Sequence, residues 1–366
     1  MAKKSFGEKM GMLGLYLLLV GAMAVVFYQM ELDLYGGYTG SVFTFILITG
    51  LIMFFLLLFL FLHIIIHEIG HLITGLISGY RFSLFRIFQW TVVNDNGKLR
   101  FTKLSIAGTG GQCLMLPPEN NDNPPYRLYL SGGALANVVA AIPALLFYIS
   151  RPSSLWLIFA IAGFISAVIN IYPAGFNDGM TIRKLTKSVT ARRQLMQQLD
   201  YSDQFITGLT FKEVNPEEFI HNPKEPITEQ FNTYATLIEV YHYLDRDMYS
   251  EALFCLQPLW ENKEDIIGPY QTEVIREYIF CNMILGNVDE RLIDEALESK
   301  VFQNYLKATN TEANRMKAAL AWFKDNDRKE AVKWIEKARH ALKHSTNLAD
   351  KEVNKRLIDQ LEKEIG

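Results

Sequence analysis

The longest apolar stretch of the sequence is Ser41–Gly79, SVFTFILITGLIMFFLLLFLFLHIIIHEIGHLITGLISG, in which Glu68 is the only Asp, Glu, Lys or Arg. A helix of roughly 20 apolar residues crosses the ~30 Å hydrocarbon core of a bilayer. The stretch is too long for one straight crossing. We therefore expect a helix that is tilted or kinked near Gly50, or a span that continues into an interfacial helix. In either case the stretch indicates a protein built on membrane-spanning helices.

Three more stretches are long and apolar enough to cross a membrane: Met10–Tyr28, Tyr126–Ile149 and Ser154–Tyr172. The first follows basic residues, as the apolar part of a secretory signal peptide does. Its apolar run is about 20 residues long, however, and no polar mature sequence follows a small-residue cleavage pattern. We interpret it as an uncleaved span, so the sequence predicts four crossings.

Charged residues divide the chain into two halves. Of the 75 Asp, Glu, Lys and Arg residues, about 18 lie in residues 1–179 and the others in 180–366. The first half is too apolar for a soluble fold, whereas the second has the composition of a soluble helical domain. The net charge of -3, without a Lys/Arg-rich cluster, excludes a nucleic-acid partner. Cys113, Cys255 and Cys281 lack metal-type spacing and are typical of reduced thiols in a cytosol-facing protein.

Basic residues predict the orientation of the spans, because they favour the cytoplasmic side of a membrane. They precede the first span, follow the second and follow the fourth: Lys3, Lys4 and Lys9; Arg81, Arg86, Lys98, Arg100 and Lys103; Arg183, Lys184, Lys187, Arg192 and Arg193. The loop Glu31–Gly40 has no Lys or Arg, and Arg151 is alone between the last two spans. The sequence predicts a multi-pass cell-membrane protein with both termini and the long middle loop in the cytoplasm.

The middle loop, about residues 80–118, has the composition of β-structure. Phe82–Val93 and Lys98–Ile106 are rich in β-branched and aromatic residues, and Asn94–Gly97 between them predicts a hairpin turn. A third extended segment, Gly111–Met115, should end at Pro117-Pro118.

The C-terminal half has a helical pattern from about Glu229. Three of its stretches resemble one another at a period of roughly 40 residues: DMYSEALFCL around Ala252, NVDERLIDEAL around Ala296 and NDRKEAVKWI around Ala331. The pattern resembles degenerate tetratricopeptide repeats, and a plain helical bundle is the alternative.

Together these features predict a mostly α chain in three parts. Residues 1–190 form a four-span helical membrane domain with a small cytoplasmic β-hairpin region at about 80–118. Residues 191–228 form a linker, and residues 229–366 form a soluble, cytoplasmic all-α domain that is tetratricopeptide-like.

The motif with the clearest chemistry is His67-Glu68-Ile69-Gly70-His71. Residues four apart on a helix lie one above the other, so two imidazoles can bind one zinc ion at about 2.0–2.1 Å. Glu68, beside the first ligand, can take a proton from a water that the metal activates. Ionisable groups inside an apolar span are costly and indicate function. The alternative is that these side chains only pair with neighbouring helices.

A catalytic zinc usually has three protein ligands and one open position. Asp178 directly follows the fourth span and is the main candidate for the third ligand, although an Asp before Gly is also typical of a turn. Glu119, in a Pro- and Asn-rich loop, is the other candidate. His63, four residues before His67, is either a functional group near the site or a core histidine bonded to a neighbour.

With these motifs the sequence resembles the site-2 protease family of intramembrane metalloproteases. The family pairs HExxH on one span with Asn-x-x-Pro-x-x-x-x-Asp-Gly on a later one, which is matched by Asn170, Pro173, Asp178 and Gly179. Gly133–Asn137 is similar to the family's Gly-Pro-x-x-Asn element on the span between, with Ala134 in place of Pro. Asn177 stands where Leu commonly precedes the Asp. The resemblance covers roughly residues 40–190.

The resemblance implies hydrolysis of a transmembrane segment near the cytoplasmic face. It implies Zn²⁺ held by His67, His71 and Asp178, with Glu68 as the base. It also implies that the substrate is held by Asn137 and Asn170 and pairs with a strand that includes Gly111, Gln112, Cys113 and Leu114. The expected substrate is a single-span membrane protein or a membrane-bound peptide.

The alternative function is a non-catalytic, zinc-binding membrane scaffold that recruits a cytosolic protein partner through its helical domain. A purely structural zinc site needs no base, so Glu68 distinguishes the two hypotheses. In the protease hypothesis the helical domain is also expected to bind a cytosolic protein.

The orientation can be tested with reporter fusions. A reporter fused after Gly366 should be cytoplasmic, and one inserted in the loop Glu31–Gly40 should be extracytoplasmic, because the basic residues alternate with neutral or acidic loops. Activity measurements of a reporter that works on one side of the membrane only would determine both positions. An extracytoplasmic C-terminus would refute the four-span topology.

Overall fold

A computed structural model describes residues 6–95, 97–103, 110–118, 124–287, 290–345 and 347–366, with the backbone alone for residues 6–20. Over these residues the fold is mostly helical, with fourteen α-helices and one antiparallel sheet of four strands. By internal contacts the chain divides into two compact units. The first contains the residues up to Thr74 and Tyr126–Thr181, and the second contains Gly75–Pro125 and Ile182–Gly366.

The first unit is a helical assembly. Its helices are α1 (Phe6–Tyr35), α2 (Val42–Ile77), α3 (Tyr126–Ser150) and α4 (Ser154–Ile171). The last three of these are long and apolar enough to cross a membrane. Helix α1 contains the predicted first span, Met10–Tyr28. A membrane crossing by α1 stays a prediction.

Helix α2 is one continuous helix of 36 residues. At 1.5 Å per residue it is ~54 Å long, well beyond the ~30 Å that a straight crossing requires. Its N-terminal part packs on α1 and α4 through Ile48 and Ile52, and its C-terminal part carries the histidine motif.

Small residues let α3 approach its two neighbours. A Cβ built on Gly132 of α3 would meet the Thr74 hydroxyl and the Gly70 carbonyl of α2. Between α3 and α4, a Cβ built on Gly163 would lie 2.9 Å from the Cβ of Ala141. Close backbone approach through Gly and Ala is how membrane helices gain packing contacts without a hydrophobic driving force.

The sheet belongs to the second unit. Its strands are β1 (Arg81–Ile87), β2 (Trp90–Asp95), β3 (Lys98–Lys103) and β4 (Gly111–Leu116), in the antiparallel order β3-β2-β1-β4. The Asn94–Gly97 turn joins β2 to β3, with the Gly97 amide donating to Asn94 Oδ1 at 2.9 Å. The stretch expected as one strand, Phe82–Val93, is two strands joined at Phe88, whose φ is +52°. β4 is an edge strand.

The rest of the second unit is helical. Its helices are α5 (Asp178–Lys187, which begins in the first unit), α6 (Val189–Thr207), α7 (Gln230–Leu244), α8 (Tyr249–Glu261), α9 (Gly268–Ile284), α10 (Glu290–Glu298), α11 (Lys300–Tyr305), α12 (Thr311–Phe323), α13 (Arg328–Leu342) and α14 (Leu348–Ile365). Helices α6–α14 contribute residues to one hydrophobic core. A buried ion cluster joins α9 and α12, where Glu277 accepts from Arg276 at 2.6 Å and from Arg315 at 2.7 Å.

The expected domain boundaries need correction in two places. Residues 191–228, where we expected a linker, contain α6 and short 3-10 turns, and Phe205, Phe211 and Phe219 are buried in the core of the second unit. The β-rich loop groups with residues 182–366 because β4 packs on α6. The three phenylalanines are not spaced with a helical or strand period, so nothing in the sequence indicated that this segment is packed into the core.

Candidate metal centre

His67, Glu68 and His71 lie on α2 and are all buried, at 6–7% exposure. Because the two histidines are one helical turn apart, their rings face each other edge to face with centroids 4.6 Å apart. The two Nε2 atoms are 3.0 Å apart. The helix therefore turns two imidazole nitrogens toward one point, as the spacing predicts.

Asp178 completes the group from the first turn of α5. Its Oδ2 lies 3.1 Å from His67 Nε2 and 3.2 Å from His71 Nε2. The three ligand atoms form a nearly equilateral triangle that could hold a metal ion. Ligands at 2.0–2.1 Å from a tetrahedral zinc ion are about 3.3 Å apart, close to the observed edges.

The protonation pattern of the group favours a cation at its centre. His71 Nδ1 lies 2.8 Å from the Tyr129 carbonyl, which can only accept, so Nδ1 carries the hydrogen and Nε2 of the neutral ring presents a lone pair. An anionic carboxylate and two imidazole nitrogens with aligned lone pairs match the donor set that divalent transition metals bind.

The turn before Asp178 is fixed by Asn177. Its Nδ2 donates to the Ile169 and Tyr172 carbonyls at the end of α4, each at 2.7 Å, and its Oδ1 accepts from the Met180 amide at 2.9 Å. One side chain thus closes the end of α4 and caps the start of α5. The sequence comparison treated Asn177 only as a departure from the family motif. The sequence signal for this role was an Asn directly before a helix, where its side chain can accept from the amide three residues later.

Glycines of α3 leave room for the histidine motif of α2. A Cβ on Gly133 would collide with the His67 ring, and one on Gly132 would meet the Gly70 carbonyl. In this close packing His71 Nδ1 reaches the Tyr129 carbonyl. Sequence reasoning missed Tyr129, since a backbone carbonyl has no sequence signature, but adjacent glycines in a span were a usable signal.

The other predicted residues lie in different surroundings. Asn137 is fully buried beside the group, with its amide 3.4 Å from His67 Nδ1. Asn170 donates to the Ser166 carbonyl of its own helix at 2.9 Å. Residues Gly111, Gln112, Cys113 and Leu114 belong to β4 in the second unit. Glu119, the alternative ligand, lies outside the described residues.

Comparisons with known proteins add nothing to this geometry. No family model matches the sequence, and no curated protein and no solved structure matches it. The function must therefore be argued from the chemistry of the site.

Asp178→Ala should lose metal affinity, because two imidazoles alone leave a tetrahedral ion half coordinated. Changes in the outer layer of a metal site cost about 10–100-fold in affinity, so loss of a direct ligand should cost more than about 100-fold. Zinc per protein and a chelator competition would measure it. Asp265→Ala, at an exposed position of the second unit, is the control. If Asp178→Ala holds zinc as tightly as the parent, the third ligand is another residue, and Glu119 is the next to test.

Proposed function

We propose that the chain is an intramembrane zinc metalloprotease of the site-2 protease type that cleaves a transmembrane segment of a membrane-anchored substrate. The observation that carries the proposal is that His67, His71 and Asp178 converge to a group that could hold a metal ion, with Glu68 next to His67 in the chain. The two histidines and Glu68 lie on α2, a helix long and apolar enough to cross a membrane. Buried ionisable groups at such a position are costly, and function is the usual reason that they persist.

Zinc fits this ligand set, as Fe(II) also does, and zinc is the ion of the proposed hydrolytic site. Two histidines and one carboxylate are the donors of known hydrolytic zinc sites, and three protein ligands leave the fourth position open. When bound, the ion would act as a Lewis acid and lower the pKa of a coordinated water toward about 7.

Glu68 has the role of general base. It adjoins a metal-binding histidine and is not one of the three ligands. In the proposed reaction Glu68 takes a proton from the attacking water as the oxygen bonds to the peptide carbonyl carbon. It then gives that proton to the nitrogen of the leaving peptide as the C–N bond breaks. The buried position of Glu68 keeps bulk water from competing for the proton.

A helical substrate shields its own peptide bonds, so its backbone must unwind and find new hydrogen-bond partners. The outer edge of β4, which is the last strand in the order of the described sheet, suits this role, because an extended peptide can add to a strand edge. The Phe88 amide donates to the Gly110 carbonyl of the neighbouring segment at 2.8 Å. Hydrogen bonds alternate along an antiparallel pair, so the Gln112 amide faces β1 and the Gly111 amide faces the outer edge.

The helical part of the second unit would recruit a cytosolic protein or control access of the substrate. Support comes from the three similar stretches, whose central alanines Ala252, Ala296 and Ala331 are each at most 1% exposed. A small residue buried at the same place in each stretch is what stacked tetratricopeptide-like helix pairs require.

The protease proposal predicts that Glu68→Gln keeps zinc but loses cleavage. Gln retains the shape of the side chain and cannot take the proton, which should reduce the rate by about 10²–10⁴-fold. Membrane proteomes of cells with the parent and the variant, and cleavage of a co-expressed single-span protein, would measure it. Glu264→Gln, at an exposed position, is the matched control. Identical proteomes with zinc retained would contradict the proposal and favour the zinc-binding scaffold.

The strand proposal predicts different results for two substitutions of one residue. Gly111→Pro removes an outer-edge donor while leaving the β1–β4 hydrogen bonds, so cleavage should fall at least about tenfold with zinc retained. Gly111→Ala keeps the donor and should cleave at close to the parent rate. Cleavage rates of both variants are measured on the same substrate. Equal rates for Gly111→Pro and Gly111→Ala would mean that β4 does not pair with substrate.

A further inference from the structure

A buried chain of polar contacts lies behind the metal centre. His63, one helical turn before His67, is 0% exposed. Its Nε2 is 3.1 Å from the Phe159 carbonyl of α4, and its Nδ1 is 3.1 Å from Asn137 Oδ1 of α3. Nδ2 of the same amide lies 2.8 Å from the Ser166 hydroxyl and 3.4 Å from His67 Nδ1. The contacts therefore run from a helix carbonyl, through two side chains, to a ligand of the metal.

The carbonyl end of this chain fixes where the hydrogens lie. Because the Phe159 carbonyl can only accept, Nε2 of His63 must carry a hydrogen. A second hydrogen would give the ring a positive charge, which a fully buried position in an apolar span disfavours. Nδ1 of His63 is therefore an acceptor. The Asn137 amide must then be turned about its Cβ–Cγ bond, so that its NH₂ and not its Oδ1 faces His63.

This orientation of Asn137 satisfies every group in the chain. With the NH₂ on His63, the amide oxygen faces the other two partners and accepts from the Ser166 hydroxyl and from His67 Nδ1–H. The opposite orientation would set the amide oxygen against the lone pair of His63. Amide orientation and imidazole tautomer are decided together by such networks. The hydrogen on His67 Nδ1 leaves the lone pair of Nε2 directed at the metal position.

The fold makes room for the imidazole of His63. The Phe159 carbonyl bonds along α4 to the amide of residue 163, and that residue is a glycine. A Cβ on Gly163 would lie 2.6 Å from His63 Cε1 and 2.9 Å from its Nε2. The Phe159 ring packs on the imidazole with centroids 4.5 Å apart. The space around His63 therefore fits a flat ring that donates from Nε2 and accepts at Nδ1.

We propose that His63 is a positioning residue of the metal centre, which acts by holding the Asn137 amide so that its oxygen accepts from His67 Nδ1–H. This gives Asn137 a different role from holding substrate: the residue is fully buried, and its amide is occupied by His63, Ser166 and His67. Groups that bond the second nitrogen of a ligand histidine typically change metal affinity by about 10–100-fold. The inference rests on the metal centre of the proposed function and does not require that the protein hydrolyse a peptide.

The test measures zinc affinity of the purified full chain by chelator competition, together with the visible spectrum of the Co²⁺-substituted protein. His63→Leu removes both polar contacts at similar volume and should weaken zinc binding by about 10–100-fold and change the Co²⁺ spectrum. His63→Gln can donate to Phe159 and accept from Asn137, so it should stay within about threefold of the parent. His63→Asn, one methylene shorter, should fall between them.

A double substitution separates positioning from simple packing. If His63 acts through Asn137, adding His63→Leu to Asn137→Leu should weaken zinc binding no further than Asn137→Leu alone. A packing role would instead make the losses add, and Gln would bind as weakly as Leu. Parent-like affinity in His63→Leu, or equal losses in the Gln and Leu variants, would overturn the proposal. If His63→Leu does not fold, the other two variants still test the proposal. It expects His63→Asn to bind zinc more weakly than His63→Gln, so equal zinc affinities of these two variants would refute it.

A protein that binds zinc with this pattern and cleaves nothing would refute the protease proposal and leave the role of His63 intact. A protein that cleaves its substrate but whose zinc affinity does not depend on His63 would refute the role of His63 and leave the protease proposal intact. The two hypotheses are thus decided by different measurements on the same variants.

Discussion

The whole site depends on one constraint: a polar group inside apolar helices must find its partner within the protein. The imidazoles of His63, His67 and His71 are at most 7% exposed, so each ring nitrogen has to face an acceptor, a donor or a cation. Both nitrogens of His63 and the Nδ1 atoms of His67 and His71 meet this demand with protein partners. The two remaining nitrogens, the Nε2 atoms of His67 and His71, converge with the Asp178 carboxylate. That meeting point is where a metal ion is the natural partner.

Two of the histidines bond a backbone carbonyl of a neighbouring helix. His71 Nδ1 lies 2.8 Å from the Tyr129 carbonyl, and His63 Nε2 lies 3.1 Å from the Phe159 carbonyl. Glycines make room for the rings: a Cβ on Gly163 would collide with the His63 ring, and one on Gly133 with the His67 ring. These glycines therefore determine ring orientation as well as helix packing. An alanine at any of them would place a methyl group where an imidazole or a helix backbone now lies.

Asp178 is held by a different kind of contact. The chain leaves α4 and turns within a few residues into α5, and the Asn177 side chain bonds both helix ends. A Cβ on Gly179 would collide with the Ile171 carbonyl, so a glycine is required where the turn folds back on α4. A ligand on such a turn is more precise than one on a free loop, because its backbone is bonded on both sides.

The sequence alone determined the elements whose signal is local. Apolar length predicted α2, α3 and α4; the i, i+4 histidine spacing predicted the shared ligand point; and the Asn94–Gly97 turn predicted a hairpin. These elements are predictable because helix period, bilayer thickness and turn chemistry act over a few neighbouring residues. The sequence also proposed Asp178 as the third ligand, and the fold places its carboxylate where it could hold a metal ion together with the two histidines.

Only the tertiary structure decided what depends on contacts between distant segments. The linker expected at 191–228 is part of a hydrophobic core, because Phe205, Phe211 and Phe219 find apolar partners far along the chain. The roles of Tyr129 and Gly163 rest on a carbonyl and a close approach that leave no trace in a one-dimensional pattern. His63 was open to two interpretations from its sequence position, and the Phe159 carbonyl, 96 residues away, favours one of them. A hydrogen bond is decided by which atoms the fold brings within about 3 Å, and that is a property of the packed chain.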